Sequence, residues 1–139
     1  MRHIYIIILL LPVFLYGQKT AQWETKFYFE DAVGNRDTIT VGYDEDANNT
    51  YNPDFGEVDI KDALWDSVFE VRAGHQEAGV LLDEILSKKI IGNIEKLTPC
   101  GLPERIRMFV RIKHLPLTIT WDSTDFNNEC HGGGFFAPH

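Results

Sequence analysis

No stretch of this chain stays apolar for the roughly 20 residues that a bilayer-spanning helix needs. The longest such run, residues 4–16, stops at Gly17. Basic residues are scarce too: 13 Lys and Arg against 21 Asp and Glu leave a net charge of -8. Phosphate contacts require clustered Lys and Arg, so this balance argues against nucleic acid and anionic membranes as partners. A nucleophile elbow of the G-x-S-x-G type is absent, and His75, His114, His131 and His139 show no zinc spacing. There are only two cysteines, Cys100 and Cys130. Neither directly follows the apolar run, which argues against a lipid anchor on a new N-terminal cysteine.

What is present begins with a leader. Arg2 and His3 precede the apolar run, and small Gly17 and polar Gln18 close it. A basic end, a short apolar core and a small residue define a secretory signal peptide. Residues 1–17 are read as that signal, and residues 18–139 as a single mature module without a transmembrane anchor. Export places the cysteine pair in an oxidising compartment, so Cys100 and Cys130 are expected to form a disulfide. A closed loop of about 30 residues would constrain the unfolded chain by roughly 3–4 kcal/mol.

Beyond Trp23 the dominant period is two. Trp23, Thr25, Phe27 and Phe29 alternate with Glu24, Lys26, Tyr28 and Glu30, as a strand with one buried face requires. Gly34-Asn35 marks a turn, and the β-branched stretch 37–43 then supplies an antiparallel partner. Residues 66–74 and 87–94 are further strands. In 105–113, Ile106, Met108, Val110 and Ile112 share one face. Arg105, Arg107, Arg111 and Lys113 lie on the other, so this basic cluster reads as the solvated side of a strand. Leu115, Leu117, Ile119 and Trp121 alternate again, with Pro116 at a strand start. Residues 76–89 fit either the chain's one helix, through Leu81, Leu82, Ile85 and Leu86, or an edge strand and loop. About six or seven short strands separated by turns indicate an all-β fold, an antiparallel β-sandwich of immunoglobulin-like type.

Two segments invite a chemical reading. His131-Gly132-Gly133-Gly134-Phe135 has the wording of an esterase oxyanion loop, but without a nucleophile such a loop has nothing to stabilise. It is read as a glycine-rich loop, and an esterase-type hydrolase fragment is the least favoured function. The acidic loop is the better candidate. Asp44, Asp46, Asn48 and Thr50 alternate like the first half of a calcium loop, and Asp54 and Glu57 could complete an oxygen shell. Asn49 replaces the turn glycine of an EF-hand and Phe55 its closing glutamate. That leaves either a simpler Ca2+ site or a loop whose Asp and Asn side chains bond their own backbone. Trp23, Trp65 and Trp121 are assigned to the core, and His75 to a turn or a partly buried position.

The strings FYFEDAVGNRDTITVGYDEDA, NPDFGEVDI, VFEVRAGH, SKKIIG and LPLTITWDSTDFNNEC, together covering about Trp23 to Cys130, carry a resemblance. They resemble the N-terminal part of large secreted proteins of Bacteroidetes-type bacteria that commonly carry a C-terminal sorting domain for type IX secretion. The resemblance implies an extracellular, cell-surface or released β-rich module. It also implies that the chain is a fragment or ends early, which would leave the sandwich incomplete at its C-terminus. The expected function is that of a secreted, non-catalytic module with a structural, adhesive or ligand-binding role. Its partners would be other domains of a longer extracellular protein, or a surface glycan. The alternative is a carbohydrate-binding module whose Tyr28, Tyr43 and Trp65 stack on sugar rings from one surface.

Overall fold

The computed structural model describes residues 17–48, 50–77, 80–81, 85–93 and 105–126. Among the described residues seven strands run in order: β1 Trp23–Glu30, β2 Arg36–Tyr43, β3 Phe69–Glu77, β4 Val80–Leu81, β5 Lys89–Gly92, β6 Arg105–Ile112 and β7 Thr118–Trp121. Short 3-10 turns occupy Pro53–Phe55 and Ser123–Phe126. No α-helix occurs among the described residues, and none of them forms a helix long and apolar enough to cross a membrane. The protein is all-β.

The strands form two sheets, one of four strands in the order β5-β2-β1-β7 and one of three in the order β4-β3-β6. The expectation of purely antiparallel pairing needs correction. β5 joins β2 in parallel, with Val41 opposite Ile90, so the four-stranded sheet is mixed. A parallel neighbour requires a long crossover rather than a hairpin, and the acidic loop, β3 and β4 supply it. Of the two readings of residues 76–89, the edge strand stands. β3 extends to Glu77, β4 forms the edge, and β5 begins at Lys89. The strand expected at 66–74 begins three residues later, because Asp66 makes a turn: its Oδ1 accepts from Val68 N at 2.7 Å and from Phe69 N at 3.1 Å.

Alternation decides which side chains meet. On β1 and β2 the inward set is Thr25, Phe27, Phe29, Ile39 and Val41, and on β3 it is Phe69, Val71 and Ala73. With Ile85 and Ile90, the apolar members of these sets form one buried cluster with contributions from both sheets. On this cluster lie the half-buried Trp23, Ile106, Met108, Ile112, Leu117, Ile119 and Phe126.

One side of this two-sheet arrangement is stitched shut. Ala73 on β3 and Ser87 exchange both backbone hydrogen bonds, at 2.9 and 2.8 Å. The chain then enters the other sheet at once, where Lys88 O accepts from Thr40 N of β2 at 2.9 Å. Asp37 of β2 accepts from Val71 N at 2.7 Å and pairs with the Lys88 ammonium, which donates to Val71 O. On the opposite side, β6 and β7 end their respective sheets, and no described strand pairs with their outer edges.

Candidate functional site

The acidic loop folds back over the outer face of β2 and β5. Ile91 points to this face, opposite in sense to core Ile90, and forms a second small cluster with Ala21, Ala47 and Phe55. Gly42 lies beneath it. A Cβ there would come within 2.5 Å of Trp23 O and 2.6 Å of Ile91 Cδ1, so only glycine lets the side chain of Ile91 cross. Gly56 ends the Pro53–Phe55 turn with φ of 83°, a left-handed conformation that glycine adopts without strain.

The six residues singled out for calcium are divided between interior and solvent. Asp44 and Glu57 are buried, whereas Asp46, Asn48, Thr50 and Asp54 are exposed. Asp44 accepts from Gln22 N at 3.1 Å and from Asp46 N at 2.9 Å. Asn48 Oδ1 accepts from the Thr50 N–H at 2.8 Å, the Thr50 hydroxyl and Tyr51 N at 3.0 Å. Glu57 Oε2 accepts from Asn52 N at 2.7 Å, and its Oε1 from Ile91 N at 2.6 Å. Asn52, in turn, donates from Nδ2 to Asn48 O at 2.8 Å and Ile91 O at 2.7 Å. These oxygens are occupied by donors of their own loop, of β5 and, for Asp44, of Gln22 before β1. Among the described residues no three His, Cys, Asp or Glu side chains converge as a metal site.

Sequence reasoning singled out Glu57 as a possible calcium ligand and did not see its part in the centre of this arrangement. Glu57 and Asn52 tie the loop to β5, and His75, assigned to a turn or a partly buried place, is fully inside. It sits on β3 with Nε2 3.9 Å from Glu57 Oε1. An acidic residue followed within the chain by a buried histidine gives no periodic signal, because the contact is made between loop and strand.

A second hub covers the outer face of the three-stranded sheet. Arg72 is buried, and its five donors all have acceptors. Nε donates to Glu70 Oε1 at 2.7 Å. Nη1 donates to Ile60 O at 2.6 Å and Ala63 O at 3.0 Å, and Nη2 to Leu64 O at 3.0 Å and Glu70 Oε2 at 3.2 Å. The Trp65 ring lies over it, with Arg111 at 5.5 Å from the ring centre. Burial alone would raise the Glu70 pKa. The hydrogen bonds from Arg72 and from Asp66 N, with the charges of Arg72 and Lys88, lower it instead.

Beside β1 lies a shallow polar depression of about 240 Å³ lined by Glu24, Thr25, Lys26, Tyr28, Asp122 and Asp125. Its carboxylates also serve the chain. Asp125 Oδ2 accepts from the Thr25 hydroxyl at 2.6 Å, and Asp122 Oδ1 from Thr124 N at 2.9 Å. The hydrogen bonds from the Thr124 hydroxyl and amide pull the Asp122 pKa down. The three aromatic residues proposed for sugars do not share a surface. Tyr28 projects outward from the four-stranded sheet. Tyr43 has the opposite parity, paired with Trp23, and Trp65 lies over the other sheet. Of the tryptophans assigned to the core, Trp23 packs against it, Trp65 covers Arg72, and Trp121 is 45% exposed. Cys100, Cys130 and the glycine run after His131 lie outside the described residues. No family model, curated protein or solved structure matches the chain.

Proposed function

We propose that the chain is a secreted, non-catalytic β-sandwich module of immunoglobulin-like type, serving a structural or ligand-binding role within an extracellular bacterial protein. The observation that carries this reading is the use made of the polar loops. The oxygens of Asp44, Asn48, Asn52 and Glu57 fasten backbone to backbone across the acidic loop and β5. Such wiring commits the buried oxygens of the loop to holding its own fold, which suits a scaffold. The basic-apolar-small leader of residues 1–17 and the likeness to exported Bacteroidetes-type proteins support export, and the cysteine pair suits an oxidising compartment.

The full chain, expressed in a Gram-negative host, tests this directly. Export with processing predicts that the secreted or periplasmic product begins at Gln18. Intact, non-reduced mass should show Cys100 joined to Cys130. Unprocessed chain confined to the cytosol overturns the export reading. Hydrolysis of a short-chain p-nitrophenyl ester, lost on His131→Ala, overturns the non-catalytic one.

A further inference from the structure

The two strands of one ladder are buried unequally. Val71 of β3 and Val110 of β6 are directly paired and point to the same inner side, yet Val71 is 0% exposed and Val110 37%. Their neighbours repeat the pattern. Ala73 is buried while its partner Met108 is half-buried, and on the facing sheet Leu117 and Ile119 are only half-buried. The apolar interior therefore emerges between β6 and β7, where no described strand continues either sheet. An edge strand also presents a row of backbone N–H and C=O groups ready to pair.

The outer face of β6 selects what can pair there. Arg107 and Arg111 stand on it at alternate positions with Phe109 between, and Lys113 follows. Glu70, opposite Arg111, is already held in a two-point contact by Arg72, and the charge of Asp66 acts on Arg111 and Lys113; Arg107, opposite Gly74, has no ion pair among the described residues. A second copy pairing antiparallel through β6 about Phe109 would set Arg107 against Arg111, and like charges directly opposite destabilise a sheet.

We propose that β6 and β7 frame an acceptor groove for an extended peptide strand of a partner protein, apolar at every second residue and acidic at the residues between. The added strand hydrogen-bonds to the edge of β6 that no described strand pairs. Its apolar side chains cover Val110 and Met108, and its carboxylates lie beside Arg107 and Arg111. This is strand addition, with backbone pairing giving affinity and alternate side chains giving specificity. Peptide acceptance depends on β6 and β7 alone and export on the leader, so either can fail without the other.

The test uses the full chain and two eight-residue peptides matched to the length of β6, one alternating Val with Glu and one alternating Val with Lys. Fluorescence anisotropy should show the Val/Glu peptide binding at least about tenfold tighter, with the preference shrinking as salt rises. Hydrogen exchange should slow at the β6 amides on binding. Arg107→Glu with Arg111→Glu should invert the preference; should that variant misfold, Arg107→Gln with Arg111→Gln should abolish it. Val110→Asp should weaken both peptides. Equal binding of the two peptides, binding without protection of β6, or no binding of either overturns the proposal. So does concentration-dependent dimerisation through β6.

Discussion

The guanidinium of Arg72 lies 4.2 Å from the centre of the Trp65 ring while all five of its donors meet oxygen. One side chain thus gathers residues 60–65 onto the outer face of β3. Replacing Arg72 with Ala would take the donor from the Ala63 and Leu64 carbonyls and leave Ile60 O and the Glu70 carboxylate with fewer partners, Ala63 N and Asp66 N respectively. A loss of about 3 kcal/mol is expected from urea unfolding, since removing one partner of a buried ion pair leaves the other uncompensated. Arg72→Lys should recover only part of it, because an ammonium cannot reproduce the planar fork. Limited proteolysis should cut first between residues 58 and 66 in both variants.

Glu57 plays the corresponding role for the acidic loop. Glu57→Ala leaves the buried amides of Asn52 and Ile91 without their acceptor, and is expected to lower stability by about 3 kcal/mol. Glu57→Gln keeps one acceptor oxygen and should lose about half as much. Hydrogen exchange at Ile91 is the direct readout: it should quicken more than at Ile39 on β2.

At Gly42 the prediction is steric. Gly42→Ala places a methyl against Trp23 O and Ile91 Cδ1, and a backbone oxygen cannot move aside without distorting β1. An unfolding midpoint lowered by the equivalent of about 2 kcal/mol is expected. Gly34→Ala meets no neighbouring atom but must adopt φ of 90°, so its loss should be nearer 1 kcal/mol.

Acid should weaken the protein in a defined direction. Asp66 and Asp122 have lowered pKa values, chiefly through hydrogen bonds from Val68 and Phe69 N–H and from Thr124. At Asp31, as at Glu70, burial pushes upward but is outweighed, here by Asn35 and Val33. A carboxylate whose folded pKa lies below its unfolded value stabilises above the unfolded pKa and loses that contribution as pH falls through the folded one. Stability measured in urea should hold from neutrality to the ordinary carboxylate range near pH 4, then decline below it. Asp66→Asn and Asp122→Asn should each flatten that decline.

Calcium offers a further check. Asp44 and Glu57 lie inside, Asp46, Asn48, Thr50 and Asp54 lie at the surface, and among the described residues no three His, Cys, Asp or Glu side chains converge. Millimolar calcium is expected to move the melting temperature by less than about 1 °C, since a ligand that does not bind the folded state cannot stabilise it.

The alternation of β1 and of the apolar face of β6 was legible because one face of each strand meets the core and the other does not. Trp23 to Glu30 shows it plainly: Thr25, although polar, keeps the inward parity and is buried with its hydroxyl on Asp125. Residues 76–89 were ambiguous for a physical reason. Leu81, Leu82, Ile85 and Leu86 satisfy helical spacing, but a two-residue edge strand and a crossover between sheets have no period to display. The roles of Arg72 and Glu57 were hidden for another reason. Both are contacts between a loop and a distant strand, fixed by tertiary geometry, and an E-V-R triplet inside a strand looks like an ordinary solvated edge. The acidic loop was found by composition, but composition cannot tell an oxygen that faces outward from one already holding an amide.

The parallel marriage of β2 to β5 also bears on how the molecule must be made. A chain emerging N-terminus first can zip β1 to β2 immediately, but the far border of β2 must wait, unzipped, until Lys89 to Gly92 arrive. Folding should therefore be slow by the standard of hairpin-built proteins of similar size, its pace set by a late, long-range closure. During that interval Ile39 and Val41 are shielded on one flank only, and the nascent chain is most in need of a chaperone just before its fifth strand appears.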